Sequence, residues 1–339
     1  MAADVSLGLR EPPGSELERA PAGVGPYRLA LRRLRRDRAA LAFGALFLLI
    51  VVLCLAAPLY ARYVAHTGPN ANHVTDTVRI GGTVKDVVSP DGMPIGPTWH
   101  GRFLLGADQN GRDIAVRLLY GGRNSLEVGA IATAITMVLA VMAGTVAGYY
   151  RGVVDGVTSR ILDLIWAYPV VLLGIALGTS LALGGLNLGL FTVSGSSLFV
   201  PALIIGFVYV PYVAKPIRGQ VLSLREREFV DAARMLGLGD LRILVSEVLP
   251  NLASTVIVFA PLMVANAILL EAGLSYLGAG VQPPNPSWGT MISDGIGLLP
   301  SAIHLTLVPG AMLAVLGINV FGDGVRDALD PHARVRVEH

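Results

Sequence analysis

Apolar runs long enough to cross a bilayer alternate with short polar segments along most of this chain. The first run, 39–61, holds 23 residues, a helix of about 34 Å at 1.5 Å per residue, which covers a hydrocarbon core. Five more follow at 128–150, 161–183, 198–214, 252–272 and 301–321. The pattern predicts an all-α polytopic membrane protein with six transmembrane helices. The second run carries Gly144 and Gly148, four apart, a face of small residues that lets another helix approach closely. The third contains Pro169, an expected kink, and the fourth is interrupted by Pro201 and Pro211. The fifth carries Pro261, Asn266 and Glu271, and the sixth Pro309 and Asn319. Residues 1–38 form a Pro-, Gly- and Ala-rich tail ending in a basic stretch, YRLALRRLRRDR, a candidate interfacial helix. Residues 62–124 make one long loop with a strand-like stretch, TDTVRIGGTVKDVV.

The most polar long insertion between two runs is 226–251, EREFVDAARMLGLGDLRILVSEVLPN. It reads as two short amphipathic helices around a glycine break. Phe229, Ala232, Ala233 and Leu236 fall at i, i+3, i+4 and i+7, the spacing of one helix face. Gly237-Leu238-Gly239 is a stop signal, and Asp240 is the expected cap of a second helix, where its carboxylate accepts from free first-turn N–H groups. That helix carries Leu241, Leu244, Val245 and Val248 at the same spacing. Pro250 is expected to end it and to start the next one, where its missing N–H is not needed.

Composition agrees with the pattern. Of 339 residues 53% are hydrophobic and 15% charged, against about 25% charged in soluble domains. The one cysteine, Cys54, lies inside the first apolar run, so no intrachain disulfide forms. That run exceeds the apolar core of a typical signal peptide, about 7–15 residues, and Cys54 follows Leu53 rather than a small residue; the span is expected to be retained. Charge placement sets the orientation. With the N-terminus in the cytoplasm, the inner segments hold 19 Lys and Arg. The outer segments hold seven, all within 62–124, a long loop in which the positive-inside rule tolerates charge. Both termini and 226–251 are then expected to be cytoplasmic. The basic block beside the first span is read as a membrane flank facing lipid, not as a nucleic-acid site.

Chemical motifs are missing. There is no GxxxxGK[ST] loop to cradle a nucleotide phosphate, and no GxSxG, HExxH or CxxC. The cluster Asp108, Asn110, Asp113 is not a calcium loop: Gly111 stands at position 4 rather than 6, and Leu119 at position 12. No catalytic, metal or cofactor site is expected in this chain. Asp163, one turn from Arg160, is read as a local ion pair.

Asp231-Ala232-Ala233, three residues, Gly237, nine residues, Glu247, then Leu249-Pro250 resembles the EAA loop of ABC importer permeases. Asp231 stands where Glu is common and Glu247 where Ile is common. Three further stretches resemble one branch of that family, the second permease subunit of dipeptide and oligopeptide importers (the DppC/OppC type). They are LGADQNGRD with LLYGGRNSL, QPPNPSWGTM, and GDGVRDALDP at 322–331; the likeness covers about 40–331. The resemblance implies a type I ABC importer permease fold. It implies a core permease domain at 125–322, a cytoplasmic coupling helix in 226–251 and a tail at 323–339. It also implies a subunit of the cytoplasmic membrane of a prokaryote that imports di- or oligopeptides. Its expected partners are a homologous second permease, two ATPase subunits that hold the ATP and Mg, and an extracytoplasmic substrate-binding protein.

On that reading Asp231, Ala232, Ala233, Gly237, Leu249 and Pro250 carry coupling, the two alanines keeping the helix thin enough to enter a groove. Asn266, Glu271 and Tyr276 are the pathway candidates, polar groups toward the outer end of span five. Two alternatives remain at this point. One is a permease for nickel or another small solute. The other is a stand-alone secondary transporter, which needs ionisable residues at midspan and internal repeats; Glu271 is its one strong candidate, and no repeat is evident.

Overall fold

A computed structural model of the chain describes residues 38–187 and 192–329. The N-terminal tail, where an interfacial helix is expected, and the end of the chain past residue 329 lie outside the described residues. Two compact units divide the chain, Met1–Leu46 and Phe47–His339. Of the first, residues 38–46 are described, as the start of a helix. Apart from those first residues of α1, everything below concerns the second.

The protein is mostly helical. The helices are α1 (Arg38–Leu55), α2 (Ala57–Tyr60, running into a π turn), α3 (Ile114–Tyr150), α4 (Gly152–Trp166), α5 (Val170–Gly184) and α6 (Phe199–Val208). Then follow α7 (Val210–Leu224), α8 (Glu228–Met235), α9 (Asp240–Ile243), α10 (Leu249–Tyr276), α11 (Trp288–Ile296) and α12 (His304–Leu329). Two helices are each long and apolar enough to cross a membrane, α3 and the continuous run Asp240–Tyr276, both 37 residues. Three bent pairs pass the same test together, Gly44–Leu55 with Ala57–Ala65, Gly152–Trp166 with Val170–Gly184, and Phe199–Val208 with Val210–Leu224; their bends are 51°, 85° and 42°. His304–Gly317 is a shorter apolar helix.

Several boundaries differ from the hydropathy reading, each for a local reason. Helix α3 starts at Ile114, well before the apolar run at 128. Asp113 caps it, accepting from the Val116 N–H at 3.1 Å and from the Phe103 N–H at 2.6 Å. Burial pushes the Asp113 carboxyl above the usual carboxylate range, and the N–H groups of Phe103, Val116 and Ala115 oppose that shift. Residues 152–160, between the second and third apolar runs, already belong to helix α4, and Pro169 breaks the third span rather than kinking it: it stands at the N-cap of α5, which leaves α4 at 85°. The fourth apolar run bends at Tyr209, ahead of Pro211, which sits in the first turn of α7 where a missing N–H costs nothing.

The loop ahead of α3 contains strands β1 (Thr77–Ile80) and β2 (Thr83–Asp86), antiparallel with Ile80 opposite Thr83. Gly81 and Gly82 join them at φ +56° and +87°, the left-handed pair that a two-residue hairpin turn demands. Val87, Val88, Ile95, Phe103 and Ala107 give this loop a small core of its own.

Helix α3 is the centre of the packing, lying against α6, α7 and α10. Its small-residue face meets α7 of the same chain. A Cβ on Gly144 would sit 2.7 Å from the Ala214 carbonyl oxygen, and one on Gly148 2.8 Å from that of Arg218. The backbones therefore run closer than any side chain permits.

Candidate functional site

The segment between α7 and α10 is built in three steps. Helix α8 opens with Glu228 and Asp231 in its first turn and has Arg234 in its last, the charge order that suits a helix dipole. It closes in a Schellman motif. The Gly237 N–H donates to the Arg234 carbonyl at 2.9 Å and the Leu238 N–H to the Ala233 carbonyl at 3.2 Å, with Gly237 at φ +78°. Helix α9 then begins.

Asp240 does not cap it. Gly239 occupies the cap position without a side-chain bond, and Asp240 stands in the first turn. Its Oδ1 instead accepts from the Tyr149 hydroxyl at 2.8 Å, tying the segment to the end of α3. Pro250 stands in the first turn of α10, as expected, but no break separates that helix from the second. A π turn, Leu244–Val248, is closed by the Leu249 N–H on the Leu244 carbonyl, and the helix continues to Tyr276. The wider turn shifts the hydrogen-bond register by one just where Pro250 has no N–H to give. The Asn251 side-chain amide donates to the Glu247 carbonyl at 2.6 Å.

The inward face also differs from the expected stripe. Val230 and Ala233 of α8, with Ile243, Leu244 and Val248, are buried in one cluster with Tyr149, Leu162, Val221 and Leu252. Phe229, Ala232 and Leu236 point away from it. Of the two alanines, then, Ala233 packs against its own chain and Ala232 is exposed beside Asp231. Met235 is 84% exposed, Leu236 81% and Leu241 73%, an apolar ridge on the outward side.

Basic residues brace the junction. The guanidinium groups of Arg225 and Arg234 lie 5.9 and 5.8 Å from the Tyr149 ring centre. Arg225 also donates to the Tyr149 carbonyl, and Arg151 pairs with Glu226. Arg218 of α7 holds Asp155 of α4 through two bonds, at 2.5 and 2.6 Å. Asp163 pairs with Lys215 of α7 at 2.7 Å rather than with Arg160, because its side chain faces the neighbouring helix. None of these cross-helix partners was legible in the sequence. The aromatic pair Tyr149-Tyr150 at the end of an apolar run was the one available signal.

The pathway candidates are not brought together. Asn266, Glu271 and Tyr276 follow at five-residue steps, about 140° apart around a helix. Asn266 is half-buried and Tyr276 exposed, but Glu271 is 0% exposed and lines no open surface of this chain. Near the start of α3 a cavity of about 120 Å³ is lined by Asp108, Arg112, Arg117 and Asp294. Arg112 binds Asp108 at 2.6 Å and Asp294 at 3.3 Å.

Residues 140–335 match the family model described as binding-protein-dependent transport system inner membrane component. This chain belongs to that family. Residues 25–74 match a second model, the N-terminal TM domain of oligopeptide transport permease C. The dipeptide transport system permease protein DppC of Alkalihalophilus pseudofirmus is 35% identical over 311 residues, 91% of this chain and 90% of that one. The di/tripeptide transport system permease protein DppC of Pseudomonas aeruginosa is 34% identical, covering 85% and 86%. The oligopeptide transport system permease protein OppC of Bacillus subtilis is 33% identical, covering 90% and 89%. Among solved structures, an inward-facing MetNI methionine ABC transporter matches with a TM-score of 0.47 at 16% identity, covering 62% of this chain and 95% of that one. As an inner membrane component the chain is a permease subunit, not an ATPase, consistent with its lack of a phosphate-binding loop.

Proposed function

We propose that this chain is a membrane-spanning permease subunit of an ATP-driven importer of di- or oligopeptides. It has six spans in the type I ABC importer arrangement and both termini in the cytoplasm. Its partners are a homologous permease, two ATPase subunits supplying ATP and Mg, and an extracytoplasmic binding protein. The peptide cargo rests on the relatives named for dipeptides, di/tripeptides and oligopeptides.

The observation that carries the coupling role is the two-sided build of 226–251. One face is sealed onto α3 and α10 through Val230, Ala233, Ile243, Leu244 and Val248, and the other presents Met235, Leu236 and Leu241. An apolar ridge on a segment otherwise rich in charge suits a groove on a partner subunit. Asp231 and Ala232 lie on the exposed side of that contact. Ala233 and Gly237 set the shape of the segment, and Leu249 and Pro250 join it to α10, so that a push on the ridge reaches a span. Asn266 and Tyr276, each with exposed surface on α10, and Glu271, buried between them in sequence, are the pathway candidates of this proposal.

The test is crosslinking in native membranes, then purification of the tagged chain and identification of what accompanies it. Labelled di- and oligopeptides are then offered to the reconstituted complex. A second permease, ATPase subunits and ATP-dependent peptide uptake are the expected result. A folded, monodisperse chain that crosslinks to no partner overturns the importer reading and favours a stand-alone transporter.

A further inference from the structure

The C-terminal end of α10 carries a carboxyl, Glu271, that lies outside the coupling segment and is fully buried. Glu271 Oε1 accepts from the Ser275 hydroxyl at 2.5 Å, and Ser275 Oγ in turn accepts from the Val281 N–H at 2.9 Å. A chain of hydrogen bonds thus runs from the helix to the loop that follows it. Glu271 Oε2 has no hydrogen-bond partner among the described residues, and no ion pair reaches it there. Ser125 of α3 and Ser287, the cap of α11, approach the carboxyl without reaching hydrogen-bond geometry, and both are fully buried.

The loop 277–287 and the start of α11 are seated tightly over this point. A Cβ on Gly280 would overlap Ser275 Oγ, and one on Gly289 the Ala272 carbonyl. The Asn124 side-chain amide of α3 donates to the Pro286 carbonyl at 2.7 Å, and the Trp288 indole N–H to the Leu118 carbonyl at 3.1 Å. Glu271 sits where helix, loop and α3 converge. An anion there has no cation to offset its lost hydration, whereas a neutral acid can turn its O–H toward a serine oxygen. We propose that Glu271 is a positioning residue, a neutral acid that latches the loop 277–287 onto α3 and α10. The inference does not depend on which solute is carried.

The test uses the full chain in native membranes with Cys54→Ala, which removes the one cysteine, and Val281→Cys, a buried loop position. The rate of N-ethylmaleimide labelling reports opening of the loop. With Glu271 or E271Q, whose amide also donates and accepts, labelling is slow; with E271A it is faster by at least about tenfold at equal protein level. Fast labelling of E271Q shows that the anion is required and overturns the proposal; slow labelling of E271A shows that the loop does not depend on Glu271 and also overturns it. If E271A fails to accumulate, E271Q and S275A carry the test. Slow labelling of the first with fast labelling of the second supports the latch, and any other pairing overturns it.

Discussion

The Tyr149 hydroxyl donates to Asp240 at 2.8 Å, joining the last turn of α3 to the first turn of α9 across 91 residues of sequence. The same ring lies under Arg225 and Arg234. One aromatic side chain therefore fixes where the polar segment leaves the helical core, and its removal separates packing from attachment. Tyr149→Phe keeps the ring and loses the bond. It is expected to cost about 1 kcal/mol, the usual worth of a half-exposed hydrogen bond. Asp240→Ala should cost the same and the double variant no more than either, because both delete one interaction. Thermal unfolding of the purified subunit checks the sum, and additive losses would show that the two residues act separately.

Gly237 is a second sharp case. Its φ of +78° is a left-handed conformation, and the space around it is open, so a substitution there meets strain but no clash. Gly237→Ala is expected to destabilise by about 1–2 kcal/mol, the cost of a Cβ in that region, and Gly237→Asn by clearly less. Gly237→Leu is expected to remove ATP-driven uptake while the protein stays in the membrane. Uptake and membrane level measured side by side decide it; normal uptake by the leucine variant would take the bend out of the coupling mechanism.

How far the sequence led is clear from single residues. Gly237 was readable because only glycine signals a left-handed turn, and Gly144 with Gly148 because their spacing is a helix face. The buried stripe of α8 runs through Val230 and Ala233, one residue along from Phe229 and Ala232. Phe229 and Val230 are both apolar, and two turns of helix are too short for the period to choose between them. The bulge before Pro250 was hidden because a proline signals a missing donor without saying whether the helix ends or widens around it. Pairs such as Lys215 with Asp163 and Arg218 with Asp155 lie on different helices, so no local rule reaches them. Glu271 is a pathway candidate by the general rule for ionisable residues in spans; its burial beneath its own loop is a property of tertiary packing that no local rule gives.

The close approach of α3 and α7 predicts a size limit. Gly148→Val places two methyl groups against the backbone and side chain of α7, where the Arg218 carbonyl and Val221 already stand. Overpacking of this kind costs about 1–3 kcal/mol, and here it also pushes on the Arg218–Asp155 pair. The variant is expected to accumulate poorly or to unfold at lower temperature, with Gly148→Ala intermediate. Unchanged thermal stability of the valine variant would mean that the helices can separate without loss.

The strongest separation of roles comes from the two faces of α8. Val230 is fully buried and Leu236, the cap residue that follows Met235, is 81% exposed six residues further on. Val230→Asp puts an unpaired carboxylate into the cluster with Tyr149 and Ile243, one of the changes that cost most in a folded protein, so the subunit should fail to accumulate. Leu236→Asp alters only surface, which ordinarily changes stability by no more than about 0.5 kcal/mol. Its effect on stability should be negligible, but it removes part of the apolar ridge that the proposed ATPase groove receives. The expected result is a normally folded, normally inserted subunit with reduced capture of the ATPase subunits and reduced uptake. If Leu236→Asp transports as well as the parent protein, the ridge is not the contact, and coupling must pass through the charged flank formed by Asp231 and Arg234 instead.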